Sequence, residues 1–384
     1  MESLSAVLGL RIWVIICIHL SIFSSTVVFT RRNAILPRLT AIAILCYLNY
    51  IFHLAILETS MTTTQKCAVC NMSWGFWISG AEQLLLSQFH AEDLIDKSEG
   101  RYVGKATLLW RGVKLYFNLR RVGVRGEVSM RRRQSQSRAQ LLRSKTIELF
   151  FLYLILDIAM NAPLPEGHLI SKEKETLFNL SNLSSEDIGF RFVGTLGYWV
   201  LSFVCNRFNN ACAAIISLAL GLSQPDEWPS LNGPISACCT IRGFWGTFWH
   251  QLYRRTLTGW GDFIPDKALG LRRGTLLSRY VRLTLAFLLS GLMHHPMVSV
   301  YSLGADDTWS CEKFFLLQAF GIMVEDAVQT MAEGLSLPRP MRRLAGYTWV
   351  VVFLVWSTPV WMFPPMRQGD SGQMVPFSFV GLLK

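Results

Sequence analysis

The sequence predicts an all-α, polytopic integral membrane protein with about eight transmembrane helices and amphipathic helices at the interface. Three observations carry this. Hydrophobic residues make up 51% of the 384, the mean hydropathy is +0.32, and the apolar residues come in blocks rather than in amphipathic periods. A block of about 18 or more mostly apolar residues can cross roughly 30 Å of hydrocarbon as a helix. In chain order, the clear blocks are 12–29, 35–57, 280–301, 313–331 and 345–363; weaker ones lie at 68–89, 146–162 and 188–206. Block 12–29 has only Arg11 as a basic residue before it and runs into a basic turn and a second block. That fits a first span better than a cleaved signal peptide. Residues 210–222 are too short to span unaided, so 188–222 is read as one span plus a short re-entrant piece. The chain divides into N-terminal helices (1–99), a basic cytosolic segment (100–145), central helices with a lumenal loop (146–222), a motif-bearing region (223–331) and a C-terminal helix and tail (332–384).

The formal charge of +11 would suit a nucleic acid, but its distribution argues for a membrane surface and no nucleic-acid partner. From Arg101 to Lys145, including Arg131, Arg132 and Arg133, only Glu127 opposes the basic residues. Such a segment reads as a cytosolic loop near anionic lipid. The same rule places Arg31, Arg32 and Arg38, the 242–282 stretch, and Arg339, Arg342 and Arg343 in the cytosol. The acidic loops 163–187 and 302–311 fall on the other side, where the sequons at Asn179 and Asn182 would be legible in the endoplasmic reticulum. Of the nine cysteines, Cys67 and Cys70 form a lone C-x-x-C with no second pair, which falls short of a structural zinc site. No metal is expected.

Three stretches carry chemistry. In LAFLLSGLMHHPMVSVY, residues 285–301, His294 and His295 interrupt an apolar run. Counted from Tyr280, His294 lies roughly 21 Å deep, where an ionisable residue is a functional candidate; a histidine hydrogen-bonded across a helix interface is the plainer reading. Ser290 shares its face and is expected to hold its ring, Pro296 is expected to bend the helix, and His295 points elsewhere. Glu325 and Asp326 sit in a second apolar run; a depth offset of roughly 9 Å from His294 disfavours a triad, and pairing with Arg279 or Arg282 is expected instead. The third stretch is EWPSLNGPISACCTIRGFWGTFWHQLYRR, residues 227–255. Pro229 and Pro234 make its first half a loop. The second half reads as a short helix with Phe244, Trp245, Phe248, Trp249 and Leu252 on one face and Arg254 and Arg255 at its end. That pattern alone would suit a membrane-surface anchor, with His250 away from the apolar stripe.

Together, Arg242, Phe244-Trp245-Gly246, Trp249-His250-Gln251 and the downstream Ser290-Gly291-Leu292-Met293-His294 resemble the wax-synthase-like branch of the membrane-bound O-acyltransferases. The resemblance covers roughly residues 225–330; the N-terminal half matches in hydropathy only. Plant wax synthases tend to carry arginines, an asparagine and an acidic residue where Thr247-Phe248, His250 and His295 stand here. The GTFWHQL run and the FF-xx-Q-xx-GI-xx-ED segment look more like the fungal branch, whose members often acetylate terpenoid or meroterpenoid alcohols. The resemblance implies an enzyme without a permanently bound cofactor, using acetyl-CoA or another acyl-CoA as co-substrate with a hydrophobic alcohol from the bilayer. It implies His294 as general base and His250 as the second active-site residue. Arg242, Trp245, Trp249, Arg254 and Arg255 are then the candidate acyl-CoA-binding residues, with Lys267, Arg272 and Arg273 also available for phosphates. An alcohol attacking a thioester must lose its proton, and histidine has suitable basicity. Rival readings are a long-chain wax or sterol ester acyltransferase, an intramembrane-histidine transporter and a lipid-binding scaffold.

Overall fold

A computed structural model describes residues 2–95, 103–128, 136–175, 183–334, 338–369, 374–375 and 377–383. The arginine run 131–133, Arg101 and the sequon residues Asn179 and Asn182 lie outside the described residues. Those described form helices and turns, with no strand among them. The helices are α1 (Glu2–Phe29), α2 (Ile35–Leu57), α3 (Thr63–Leu85), α4 (Lys105–Phe117), α5 (Arg138–Met160), α6 (Ser185–Ala219), α7 (Ile241–Gly243), α8 (Arg254–Phe263), α9 (Leu276–His294), α10 (Met297–Val300), α11 (Ser310–Met331), α12 (Arg339–Ser357) and α13 (Pro359–Arg367). Among the described residues, five segments are long and apolar enough to cross a membrane: Val7–Phe29, Ile35–Leu57, Ser185–Ala219, Leu276–Val300 and Arg339–Arg367. The chain is a polytopic membrane protein. The remaining three expected spans correspond to α3, α5 and α11, whose 23, 23 and 22 residues meet the length requirement but carry more polar side chains.

The chain folds into two compact units, residues 1–128 with 252–300 and residues 129–251 with 301–384. In the first, Phe23, Val27, Leu45, Leu84, Phe89, Leu115 and Tyr116 form an apolar core. Its turns are gathered by one cation. Arg38 is completely buried and donates to the carbonyls of Leu84 at 2.8 Å and Phe89 at 2.9 Å, with longer bonds to Thr30 and Arg31. The C-terminal ends of α1 and α3 are thereby fixed to the start of α2. Two further intramembrane histidines are explained by packing. His19 bonds the Tyr116 hydroxyl at 2.9 Å; His53 accepts from Trp74 Nε1 at 3.4 Å and meets Ser299 Oγ at 2.9 Å, tying α2 and α3 to α10. Gly261 lets α8 lie against α9, since a Cβ there would stand 3.2 Å from the Arg282 carbonyl. Arg282 then reaches Asp262 at 2.6 Å and also Asp266, which Arg273 shares.

In the second unit α6 runs unbroken for 35 residues, about 52 Å at 1.5 Å per residue. This corrects the expected span plus re-entrant piece. The polar run from Cys205 to Asn210 reads as a break in hydropathy, but its side chains find partners: Asn206 donates to the Ser202 carbonyl at 2.8 Å, and Arg207 to Glu148 at 2.7 Å. No proline interrupts the helix. Conversely, the block 345–363 is two helices, broken at Thr358-Pro359. The two acidic loops assigned to one side do meet: Arg367 pairs with Glu175 at 2.7 Å and Asp307 at 2.8 Å, and Lys172 with Asp306 at 2.5 Å.

Two outcomes test these contacts. Arg38→Met strands several buried carbonyls, each lost charged hydrogen bond being worth about 1.5–3 kcal/mol, and is expected to lower the thermal midpoint in detergent sharply, with Arg38→Lys intermediate. Hydrogen bonds from Arg273 and Arg282 hold the Asp266 carboxyl well below the usual carboxylate range. Its contribution is therefore present above the ordinary value of 3.8 and lost as pH falls through the depressed one. Asp266→Asn should lower the thermal midpoint by the same amount at pH 7 and pH 5, and the gap to wild type should close only in stronger acid.

Candidate active site

The motif loop lies in the second unit and is built on α11. Short 3₁₀ turns at Pro225–Glu227 and Ile235–Cys239 flank the proline-bearing stretch. Thr240 then caps α7, its hydroxyl accepting from Gly243 N at 2.8 Å. Glu325 accepts from the Ile241 backbone N–H at 2.6 Å, and Asp326 pairs with Arg242 at 2.6 Å. Of the two arginines expected to pair with these acids, Arg282 is engaged by Asp262 and Asp266 instead. Trp245 Nε1 donates to Gln318 Oε1 at 3.1 Å, and Gln318 donates in turn to Ser357 Oγ at 3.1 Å.

The single short helix expected over 241–255 is not what forms. Residues Phe244–Phe248 make a π-type turn closed by Trp249 N to the Phe244 carbonyl at 2.8 Å. The chain then extends, and Arg254 and Arg255 begin α8 instead of ending the motif helix. The wider turn directs the rings inward. Trp199 of α6 meets Phe244, Trp245 and Trp249 edge-on at centroid distances of 5.4, 5.6 and 5.1 Å, and its Nε1 donates to Thr358 Oγ1 at 3.0 Å. These rings are therefore an interior aromatic cluster, and a headgroup-zone anchor is excluded for buried Phe244 and Trp249.

His250 stands directly after this turn, its ring 5.4 Å from that of Trp249. Its neighbours are fixed by Gln251, which is buried and donates to the carbonyls of Trp245 at 3.0 Å and Trp249 at 2.7 Å. The structure thus brings Arg242, Trp245, Trp249 and His250 together on one buttressed loop. Gln251, Gln318 and Thr240 support it without having been assigned roles from sequence. The helical spacing of Phe314, Gln318, Gly321 and Glu325 along one stripe of α11 was the legible signal, since two polar residues on an apolar stripe need partners.

His294, Arg254 and Arg255 belong to the first unit. His294 is the last residue of α9, and the helix stops before Pro296 and resumes at Met297. Its Nδ1 lies 2.7 Å from the Ser290 carbonyl oxygen. That oxygen only accepts, so Nδ1 donates and the neutral ring presents the Nε2 lone pair. The Ser290 hydroxyl, expected to hold the ring, instead donates to the Ala286 carbonyl at 3.1 Å. Met293 and Met297, close to His294 in the chain, are buried. Arg254 is exposed, whereas Arg255 is half-buried beside Gly126.

Residues 228–317, which contain both His250 and His294, match the membrane bound O-acyl transferase family. The chain is 36% identical over 192 residues to the acetyltransferase eriL of Hericium erinaceus, covering 49% of each protein. It is 30% identical over 247 residues to the acetyltransferase spyB of Aspergillus fumigatus, covering 59% of this chain and 41% of that one. With the acetyltransferase ataH of Aspergillus terreus it shares 30% identity over 282 residues, 68% of this chain and 90% of the relative. The chain belongs to the membrane-bound O-acyltransferase family. The matches span about half or less of the first two relatives, and nearly all of the third.

The matched family segment includes Thr240, Gln251 and Gln318's partner Trp245, so the loop's internal fixation lies within it, while Glu325 and Asp326 lie just beyond. Glu325→Ala leaves the Ile241 N–H without its acceptor and should cost about 1–3 kcal/mol. Glu325→Gln keeps a carbonyl oxygen there and should stay near wild type. Limited proteolysis within 225–251, read alongside the thermal midpoint, separates the two.

Proposed function

We propose that the protein transfers an acyl group, acetyl from acetyl-CoA in the first instance, to a hydroxyl of a hydrophobic terpenoid or meroterpenoid alcohol in secondary-metabolite biosynthesis. The observation that carries this reading is the His294 ring, at the broken end of α9 with Nδ1 committed to the Ser290 carbonyl. Such a ring is oriented to accept a proton on Nε2. Its support from kinship is that eriL, spyB and ataH are each described as acetyltransferases.

The step balances without a covalent acyl-enzyme. Nε2 of His294 takes the alcohol proton as the oxygen attacks the thioester carbonyl; the C–O bond forms and charge gathers on the carbonyl oxygen. The intermediate collapses with loss of the C–S bond, and His294 returns the proton to the CoA thiolate. Ester and free CoA leave. General-base help of this kind is worth about 10²–10⁴-fold. His250 is assigned, by the resemblance, a donor's role toward the developing oxyanion. Arg242, Trp245, Trp249, Arg254 and Arg255 are assigned to acyl-CoA, and the protein to the endoplasmic-reticulum membrane.

Membranes holding wild type, His294→Ala, His295→Ala or His250→Ala, given radiolabelled acetyl-CoA and a panel of terpenoid and sterol alcohols, test the assignment. Organic-phase label is expected with wild type and His295→Ala. It should fall about 10²–10⁴-fold in His294→Ala at equal expression, and substantially in His250→Ala. A preference for palmitoyl-CoA would overturn the acetyl donor, and full activity in His294→Ala would overturn the base.

A further inference from the structure

We propose that the first unit carries a phosphate-binding site at Arg255, Arg121 and the Gly126 turn, and that it takes the phosphate groups of a nucleotide coenzyme. The choice of coenzyme rests on the acyl-CoA reading; the charge arrangement that calls for an anion does not.

The site begins with a carboxylate that is already matched. Glu82, in the last turn of α3, is 1% exposed; it pairs with Arg121, itself 2% exposed, and accepts from Ser87 Oγ at 2.8 Å. Arg121 also donates to Ser87 Oγ at 2.8 Å and lies over the Phe89 ring, 5.0 Å from its centroid. Arg125 lies over the same ring at 5.0 Å and pairs with Asp93 at 3.2 Å. Arg121 thus has Glu82 as its partner, whereas Arg125 shares Asp93 with Arg32, also at 3.2 Å.

Arg255 has none. It enters from the first turn of α8, which presses against α3 because Gly259 has no side chain: a Cβ there would meet Glu82 Oε1 at 2.8 Å. Its Nε is buried and has no hydrogen-bond partner. A Cβ at Gly126 would stand 3.1 Å from Arg121 Nη1 and 3.4 Å from Arg255 Nε, so both guanidinium groups border this turn. Gly126 holds φ at +80°, a conformation that excludes most side chains and leaves the turn bare beside them.

Positive charge is thus in excess, with Arg32, Arg121, Arg125 and Arg255 facing only Glu82 and Asp93, and an unmatched charge removed from water is strongly unfavourable. Burial, opposed by Glu82 and reinforced by Arg255 and Arg125, brings Arg121 down to about 10. An anion at the turn relieves the crowding, and two guanidinium forks suit the oxygens of a phosphate ester. An anionic phospholipid headgroup offers the same chemistry, so the test includes both sources.

Purified full-length protein in neutral detergent is titrated with CoA, with pantetheine as its phosphate-free fragment, and with short-chain phosphatidylserine. Wild type, Arg255→Ala, Arg255→Gln and Arg255→Lys are compared at matched thermal midpoints, the Gln and Lys variants serving if Ala does not fold. Arg255→Ala and Arg255→Gln are expected to weaken CoA roughly ten- to a hundredfold, with Arg255→Lys intermediate and pantetheine unchanged. Loss of phosphatidylserine binding with CoA unaffected overturns the coenzyme and gives the phosphate to a lipid. Equal weakening of CoA and pantetheine, or no change in any probe, overturns the site. If wild type binds neither CoA nor pantetheine while phosphatidylserine binding depends on Arg255, the acyl-CoA reading fails and the anion site survives it.

Discussion

Non-helical backbone among apolar membrane helices is tolerated only where protein groups satisfy its N–H and C=O groups, and this constraint shapes the motif loop. Between Ala219 and Arg254 the chain forms no α-helix longer than three residues. Its polar backbone is met locally by the Thr240 cap and the Gln251 amide, and from outside by Glu325, which receives the Ile241 N–H. The acid pair on α11 is thus a mounting for the loop, through one backbone bond and one ion pair with Arg242. His250 inherits its position from that mounting, since the residues on either side of it are fixed.

The same constraint, with the sign of charge reversed, organises the first unit. Arg38 sits among carbonyls at helix ends, where the last turn leaves acceptors without intrahelical partners. One guanidinium reaches several of them at once because its donors fan out in a rigid plane. Arg121 answers Glu82 nearby. Arg255 stands apart from both patterns.

The histidines illustrate how little residue type alone decides. His19 and His53 also lie in apolar helices, yet each is spent on a neighbouring helix: Tyr116 for one, Trp74 and Ser299 for the other. His294 turns its Nδ1 back onto its own helix, at the carbonyl of Ser290, so the ring is oriented by the element that carries it. A break in the helix follows at once because Pro296 supplies no N–H.

By itself the sequence determined what depends on local composition and spacing: a helical membrane protein, the approximate places of its long helices but not their ends, the break beside His294, the grouping of the acidic loops, and the family through Arg242, the FWG and WHQ runs and SGL-x-H. It could not decide whether 188–222 was one helix or two, because the polar run near Asn206 looks like a boundary until Glu148 of another helix is seen to receive Arg207. Nor could it foresee the π-type turn at 244–248, since an i→i+5 turn and an α-helix share one pattern of apolar residues over so short a span, and only Trp199 and Gln318 from other helices favour the former. The role of Glu325 was likewise left to tertiary structure. A charge in an apolar stretch announces that it needs a partner, and which partner it finds is set by elements far away in the chain.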